Sequence, residues 1–198
     1  MNVQFFDLGQ VPATPWKNGG GATRELACWP MGADMESFDW RVSVATIAQS
    51  GPFSRFAGVD RVITLLGGDG VHLYQAESGI DHRLDQPLQP FAFAGDGGMD
   101  CDLLGSASTD FNLMLRRGRW RGAVQVLRSA ADLPALPAGL LLAVQGSWAL
   151  TPRAGTAGQA NVLQPECGLW WAGEECAWAA APQAAEGAAL LHVALQAA

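Results

Sequence analysis

Short runs of apolar residues alternate with turn residues along most of this chain. In Trp40–Ile47, large apolar side chains alternate with Arg41 and Ser43, which is the period-two pattern of a strand with two different faces. Further strands are predicted at 3–8, 24–30, 59–66, 71–74, 81–84, 90–93, 100–104 and 110–121, the last of which runs into a basic turn. Because such runs recur at intervals of roughly 8–12 residues without an amphipathic helical pattern, the sequence predicts an all-β sandwich or barrel.

The second half of the chain repeats part of the first. The segment 63–73 is echoed by 141–150, and a Leu-Gln-Pro triplet precedes an apolar run both in 88–93 and in 163–171. The intervals are about 75 to 79 residues, which indicates two related β-lobes.

We expect the N-terminal lobe to cover residues 1–121 and the C-terminal lobe to cover residues 122–198. The first lobe carries most of the charged residues, whereas the second is rich in alanine, leucine and tryptophan. Few side chains of the second lobe can act as acids, bases or ligands. The functional site is therefore expected in the first lobe, and the second lobe is expected to be structural or dimerising, which makes a homodimer possible.

Composition narrows the class of partner. The chain has 198 residues, 12 basic and 19 acidic side chains, and a formal net charge of −7, which argues against general nucleic-acid binding. No apolar run approaches the roughly 20 residues that span a membrane, and the N-terminus lacks a secretory signal pattern. We therefore expect a cytoplasmic protein without a membrane partner. The scattered cysteines at 28, 101, 167 and 176 are expected to be small buried apolar residues.

A glycine run in residues 15–25 separates two cations, Lys17 and Arg24. Glycine permits positive φ and close backbone approach, so such a loop can present N–H groups to an anion while the cations supply charge. It is not a nucleotide phosphate loop, because the lysine precedes the glycines, and it lacks the strand and helix of a dinucleotide fold. The alternative is a flexible turn with incidental charges.

The motifs in residues 16–25, 40–45, 51–54, 60–61 and 110–118 resemble those of the HutD/Ves family in kind and in order. The block Trp-Lys-Asn-Gly-Gly-Gly at the start of the first motif is the most distinctive. The resemblance implies a bicupin, with two small β-barrels in one chain. It also implies a role in histidine utilisation, in which HutD binds an intermediate such as urocanate or a formylated glutamate and moderates the pathway. It does not separate the HutD branch from the Ves branch.

A metal is the default expectation for a cupin, but the histidines of this chain do not favour one. Metal-binding cupins supply a His-x-His pair, a glutamate and a later histidine. This chain has three histidines, at 72, 82 and 192, and a tyrosine stands at position 74. We expect neither a metal nor another cofactor.

An anion site fits the sequence better. The predicted ligand-binding residues are Trp16, Lys17, Asn18, Arg24, Arg41, Ser43, Arg61 and Asn112. Cations beside glycine turns or on apolar strands need partners, and a ligand carboxylate is one. The alternative is that ion pairs with Glu25, Asp60 or Asp110 satisfy the arginines. Asparagines offer an amide donor and acceptor, although Asn18 could instead shape the turn, and Trp16 could belong to the core.

The sequence thus predicts a metal-independent small-molecule binding or regulatory protein for a carboxylated intermediate. The alternative is a metal-independent enzyme, a hydrolase or isomerase, in which His72 or Asp110 acts as the acid–base group. A third interpretation is a structural or protein-interaction module that uses the tryptophan-rich second lobe.

Overall fold

The computed structural model describes residues 3–153 and 159–198, and these residues form strands and no helix. The strands are β1 (Val3–Asp7), β2 (Ala13–Pro15), β3 (Gly21–Trp29), β4 (Trp40–Ile47), β5 (Gly51–Phe53), β6 (Val59–Gly67), β7 (Val71–Gln75), β8 (Ile80–Leu84), β9 (Pro90–Ala94), β10 (Met99–Leu103), β11 (Ser108–Arg116), β12 (Trp120–Leu127), β13 (Ala131–Gln145), β14 (Trp148–Pro152), β15 (Asn161–Leu163), β16 (Cys167–Pro182) and β17 (Ala189–Ala197). The all-β prediction is confirmed. Within the described ranges there is no helix that is long and apolar enough to cross a membrane.

Residues 12–120 form one compact unit that contains two antiparallel sheets. One sheet has the strand order β2-β3-β4-β11-β6-β9, and the other has the order β5-β10-β7-β8. Apolar side chains of both sheets share one core cluster, which includes Ile47 and Ile63 of the first sheet and Leu73 and Cys101 of the second. The two sheets therefore pack face to face as a sandwich.

The described residues of the ranges 3–11 and 121–198 form the second compact unit. Its sheet has the order β12-β17-β13-β16-β14-β15, and β1 also pairs with β16. Its core is built around Trp148, Trp171 and Trp178. Residues 3–11 thus belong to this unit and not, as predicted, to the N-terminal lobe. The physical reason is the pairing of β1 along β16, where the ring of Phe6 covers Gly168 so closely that a Cβ there would lie 2.3 Å from it.

The described strands do not close into a barrel in either unit. The six-stranded sheet ends at β2 on one side and β9 on the other, and its facing sheet ends at β5 and β8. The implied pair of small closed barrels is thus replaced, in residues 12–120, by a sandwich with open sheet edges. The core does not require closure, because the two facing sheets bury their apolar sides against each other.

The predicted repeat has a counterpart in the backbone of the two units. The N–H of Leu88 donates to the carbonyl of Leu65 at 2.9 Å, and the N–H of Glu166 donates to the carbonyl of Ala143 at 2.7 Å. Leu88 and Glu166 also share a left-handed conformation, with φ values of 63° and 66°. Each residue of one bond lies 78 positions from its counterpart in the other. Each unit therefore uses the same unusual turn at the same place.

Candidate functional site

Polar side chains line the inner face of three adjacent strands in residues 12–120. Met114 of β11 lies opposite Arg41 of β4 on one side and opposite Arg61 of β6 on the other. Two residues away on β11, Asn112 lies opposite Ser43 of β4. Because alternate residues of a strand face the same side, these side chains share one face of the sheet. The period-two pattern that the sequence shows in β4 is what places Arg41 and Ser43 on that face.

A pocket of about 470 Å³ opens on this face. Seven of the eight residues that the sequence predicts to bind a ligand line it, namely Trp16, Lys17, Asn18, Arg41, Ser43, Arg61 and Asn112. Their sequence positions span almost one hundred residues, and the pairing of β4, β11 and β6 brings the inner four together. The structure thus gathers most of the predicted anion site into one cavity.

Arg61 is a cation buried among aromatic rings. Its side chain is nearly inaccessible, and the guanidinium carbon lies 5.2 Å from the ring centre of Phe53, 5.7 Å from that of Phe56 and 5.1 Å from that of Phe93. Its Nη2 donates a hydrogen bond of 2.8 Å to Oδ1 of Asn112. Burial lowers the pKa of Arg61 to about 10, and the positive charge of Arg41 adds to this effect.

No carboxylate of the described residues forms an ion pair with Arg61, and its buried Nε has no hydrogen-bond partner there. Of the three candidate carboxylates that the sequence offered, two pair with other arginines, and no ion pair joins Asp110 to Arg61 within the described residues. Glu25 pairs with Arg41, and Asp60 pairs with Arg117 through an N–O distance of 2.6 Å. The ion-pair alternative therefore does not account for Arg61.

Arg41, by contrast, has a structural ion pair. Its Nε donates to Oε2 of Glu25 at 2.6 Å, while its Nη1 lies 3.5 Å from Oγ of Ser43 and 3.9 Å from the sulfur of Met114. These last two contacts are long and weak, so the Nη1 edge still faces the pocket with donor capacity. Arg41 is thus held in position by Glu25 and remains able to contact a ligand.

The glycine loop forms the turn between β2 and β3. The N–H of Gly19 donates to the carbonyl of Trp16, and the N–H of Gly20 donates to Oδ1 of Asn18, both at 3.0 Å. Gly19 has a φ of 73°. These N–H groups are therefore used inside the turn, and the expectation that the loop presents consecutive N–H groups to an anion does not hold for them. Asn18 shapes the turn as well as lining the pocket.

The same turn fixes Trp16 at the pocket. The indole Nε1 donates to Oγ1 of Thr23 at 2.8 Å, and the ring passes so close to Gly21 that a Cβ there would lie 3.0 Å from it. Lys17, the next residue, is exposed and also lines the pocket. The glycine run thus serves mainly to seat an aromatic ring and a cation rather than to bind an anion through its backbone.

Arg24 and His72 do not join this pocket. Arg24 pairs in register with Val44, whereas the pocket-facing residues of β3 and β4 pair through Thr23 and Ala45, so Arg24 lies on the opposite face. His72 alternates with buried residues of β7 and has its Nε2 2.6 Å from Oδ1 of the exposed Asp81. The strand alternation that buries its neighbours turns this histidine outward. A catalytic role for His72 in the pocket is therefore not supported by its position.

Asp110 is completely buried on the pocket-facing side of β11, opposite Ala45 of β4. Neither of its carboxylate oxygens has a hydrogen-bond partner in the described part of the chain. Burial raises the pKa of Asp110 to about 7, and the nearby hydroxyl of Ser108 offsets part of this effect without forming a well-aligned hydrogen bond. An acid with such a pKa can hold or release a proton near neutral pH.

The side chains around the pocket do not fit a divalent metal. The described residues contain no group of three or more histidine, cysteine, aspartate or glutamate side chains that could hold one. The inner wall instead carries two guanidinium groups, which would repel a cation. His82 stacks on the ring of Phe91 with 3.8 Å between ring centres, and His72 pairs with Asp81. We therefore derive no chemistry through a metal.

Several pocket residues were missed by reasoning from sequence. Phe53, Phe56 and Met114 line the pocket, as does Met35 from the polar connection between β3 and β4. A signal existed for Phe53, which lies in one of the family motifs, and for Met114, which shares the alternation of Asn112. No local pattern identifies Met35, because its loop reaches the pocket only through the fold.

Comparison with known proteins gives the relatives of this chain. The HutD family model matches residues 9–191. Protein Ves of Cronobacter sakazakii is 38% identical over 170 residues, which cover 85% of this chain and 87% of that protein. An uncharacterized 21.2 kDa protein in the hutC 3′ region of Pseudomonas putida is 42% identical over 126 residues, which cover 62% of this chain and 63% of that protein.

Solved structures also include a HutD protein among those similar to this chain. HutD from Pseudomonas fluorescens SBW25 superposes with a TM-score of 0.82 at 29% sequence identity, and the match covers both chains completely. An oxalate decarboxylase of Bacillus subtilis matches with a TM-score of 0.63 at 8% identity, over 96% of this chain and 76% of that one. At that identity the likeness concerns the fold alone, which is cupin-like.

Proposed function

This chain belongs to the HutD family, and from that premise we propose that its pocket binds a small carboxylated metabolite of histidine utilisation. The family match and the relative in the hutC 3′ region support the link to that pathway. Candidate ligands are urocanate, formylglutamate and formiminoglutamate. In this proposal the protein is a metal-independent binding or regulatory protein, and its two units correspond to the two lobes of a bicupin, for which the repeated turn is the support.

The observation that carries the proposal is the state of Arg61. A buried charge is costly unless it is paired and hydrogen-bonded, yet no described carboxylate pairs with this guanidinium. A carboxylate on a ligand would supply the missing anion through short, charge-assisted hydrogen bonds. Arg41 lies across Met114 from Arg61 and offers further donors toward the same space.

The rest of the pocket suits a short ligand with a planar or polar middle. Ser43 supplies a hydroxyl and Asn112 supplies an amide on the inner wall, and both are buried. Rings of Trp16 and Phe53 line the same cavity and can contact a flat group. Lys17 adds a positive charge that remains exposed to solvent.

Calorimetric titration tests the proposal with urocanate, formylglutamate, formiminoglutamate, glutamate and histidine, each with and without a chelator. We expect saturable binding of at least one acid that is indifferent to the chelator. Arg61→Met should weaken that binding by about 1.5–3 kcal/mol, which exceeds tenfold, because a charged hydrogen bond is lost. Arg24→Gln is the matched control, since it removes an arginine of the opposite sheet face, and its affinity should equal that of the wild type.

Two results would count against this function. Failure of all five acids to bind would remove the carboxylate ligand class. Equal affinity in wild type and in a folded Arg61→Met protein would remove Arg61 from the site. A thermal-shift measurement gives an independent check, because a ligand at 100 times its Kd adds about 2.7 kcal/mol of apparent stability.

One observation favours the enzyme alternative, a metal-independent hydrolase or isomerase. Asp110 is a buried acid whose pKa is raised to about 7 by burial, and its strand neighbour Asn112 lines the pocket. Such a group is suited to general acid–base catalysis. Incubation of each acid with the protein, followed by NMR, tests for turnover. Turnover that is lost in Asp110→Asn would establish this alternative, and unchanged substrates would exclude it for these acids.

A further inference from the structure

Asp110 is a buried acid that the binding of a carboxylate to Arg61 does not use. Neither of its oxygens has a partner among the described residues, and the hydroxyl of Ser108 on the same face of β11 has none either. Buried polar atoms in proteins are nearly always hydrogen-bonded. Ser108 lies near enough to influence this carboxyl, but no well-aligned hydrogen bond satisfies either group, so the buried acid lacks the pairing that a purely structural role would give it.

The pairing of β11 with β4 places Asp110 next to the wall of the pocket, although it is not itself a lining residue. Its cross-strand partner is Ala45, and the partner of Ser108 is Ile47. Both Ala45 and Ile47 line the pocket. Cross-strand neighbours have Cβ atoms about 4.5–5.5 Å apart, so the carboxyl of Asp110 lies beside the inner wall of the cavity. A charge on it would be felt by any ion in the pocket.

Among the described residues, no counter-ion faces Asp110 from the elements packed around it. Its partners on β4 and β6 are Ala45 and Leu65, which cannot ionise. From the facing sheet, the charge of Asp110 acts on Cys101, whose thiol pKa is raised to about 12, chiefly by burial, so the thiol stays neutral. Arg41 on β4 and Arg61 on β6 lie four residues along from these partners.

Charge repulsion then links this acid to the ligand. An ionised Asp110 would repel an anion entering the pocket, whereas a neutral Asp110 would not, and its O–H could donate a hydrogen bond. We propose that Asp110 couples proton uptake to anion binding, its carboxylate taking one proton from the solvent as a carboxylated ligand enters the pocket. This inference rests on the proposed function, because it requires an anion to bind there.

The sign of the effect follows from linkage. In the free protein burial raises the pKa of Asp110 to about 7, so the group is mostly neutral below that pH and mostly ionised above it. A bound anion raises this pKa further. Affinity for the anion is therefore constant at low pH and falls as the pH rises above 7, by at most about tenfold per pH unit for one proton.

The test is a calorimetric titration of the wild-type protein with N-formyl-L-glutamate between pH 6.0 and 8.5, in buffers of different ionisation enthalpy. Both carboxyl groups of this probe have pKa values below about 5, so its charge stays constant over that range. We expect the wild-type Kd to rise several-fold from pH 7 to 8.5, with net uptake of up to one proton. Asp110→Asn should bind with a pH-independent Kd and no proton uptake.

Asp102→Asn is the matched control, because it removes one carboxylate from an exposed position of β10 and should keep the wild-type pH dependence. Wild-type binding with a constant Kd and no proton exchange would overturn the inference and leave the proposed function standing. The same pH dependence in Asp110→Asn would also overturn it, by assigning the proton to another group. Failure of all five acids to bind overturns both. If Asp110→Asn does not fold, the buffer dependence of the wild type still decides.

Discussion

The two units have a corresponding pair of facing strand positions, but different side chains occupy it. In residues 12–120, Arg61 lies opposite Phe93, and its guanidinium carbon is 5.1 Å from the ring centre. In the second unit, the residues 78 positions after these two are Gly139 and Trp171, and they also lie opposite each other. A Cβ on Gly139 would lie 2.5 Å from the indole, so the ring occupies the space that a side chain at 139 would need. One unit keeps a cation with room around it, and the other fills the equivalent place with its own tryptophan.

The comparison extends along the neighbouring strands. Asn112 lies opposite Ile63 in one unit, and His192 lies opposite Leu141, 78 positions after Ile63, in the other. His192 is buried, neither ring nitrogen has a partner within the described residues, and burial lowers its pKa to about 4. The second unit therefore retains one polar residue at this place but keeps it uncharged. The two units thus share a backbone turn and corresponding strand pairs but differ in the charge of the side chains at these positions.

The largest change in stability is expected at Trp171, whose ring fills the space beside Gly139. Trp171→Ala removes a buried indole that also donates to the carbonyl of Leu136 at 2.8 Å. We expect the free energy of unfolding to fall by about 3–5 kcal/mol, measured by urea denaturation, because a cavity is left in the core. Trp171→Phe is the control and should lose less. A loss below about 1 kcal/mol in Trp171→Ala would mean that the ring does not fill this space.

Lowering the pH should reduce the stability that the buried His192 contributes. The unfolded chain binds a proton at His192 near the ordinary pKa of 6.5, whereas the folded protein resists it down to about 4. Stability contributed by this group therefore falls as the pH drops from 6.5 to 4, by about 2–3 kcal/mol. His192→Leu should flatten this part of the stability profile in urea denaturation. An unchanged slope in His192→Leu would assign it to other groups.

Replacing Arg61 should raise the stability, by a smaller amount than the loss expected at Trp171. Replacement of a buried charge without an ionic partner by an apolar side chain of similar length removes its desolvation cost. We expect Arg61→Met to unfold at a higher urea concentration in the absence of ligand, with a gain of about 1–2 kcal/mol. The cation–π contacts and the Asn112 hydrogen bond limit the gain. A clear loss of stability would show that Arg61 is structural, and the contrast with Trp171 would then disappear.

The smallest effect is expected at Arg24, which lies outside the pocket. Arg24 is half-buried and lies on the sheet face opposite the pocket. Arg24→Gln should therefore leave ligand affinity close to wild type in a calorimetric titration. A tenfold loss of affinity in this variant would mean that the opposite sheet face takes part in binding.

Much of this arrangement could be predicted from the sequence. The alternation in Trp40–Ile47 gives the strand and the shared face of Arg41 and Ser43, and β4 has the same bounds in the structure. The repeat between 63–73 and 141–150 reflects a real correspondence of backbone turns. Local patterns carry this information because strand alternation and glycine turns are local properties.

The remaining features depend on contacts that are distant in sequence. Arg24 was predicted to bind the ligand but lies outside the pocket, because the register of β3 with β4 places Thr23 on the pocket face and Arg24 on the other. The partner of β1 lies more than 150 residues away on β16, so no local pattern reveals it. The burial of Asp110 likewise follows from the packing of two sheets. Aligning positions 61 and 139 could have shown in advance that one unit has an arginine where the other has a glycine.

The position of Trp16 makes its fluorescence sensitive to the contents of the pocket. Of the eight tryptophans in the chain, all within the described ranges, it alone lines the pocket, with its indole nitrogen fixed to Thr23. Indole emission responds to the charge and polarity of its immediate surroundings, so the pocket contains its own fluorophore. The difference between the emission of the wild type and that of Trp16→Phe isolates this one signal from the other seven. If the proposed ligand binds, this difference signal would report it without a label.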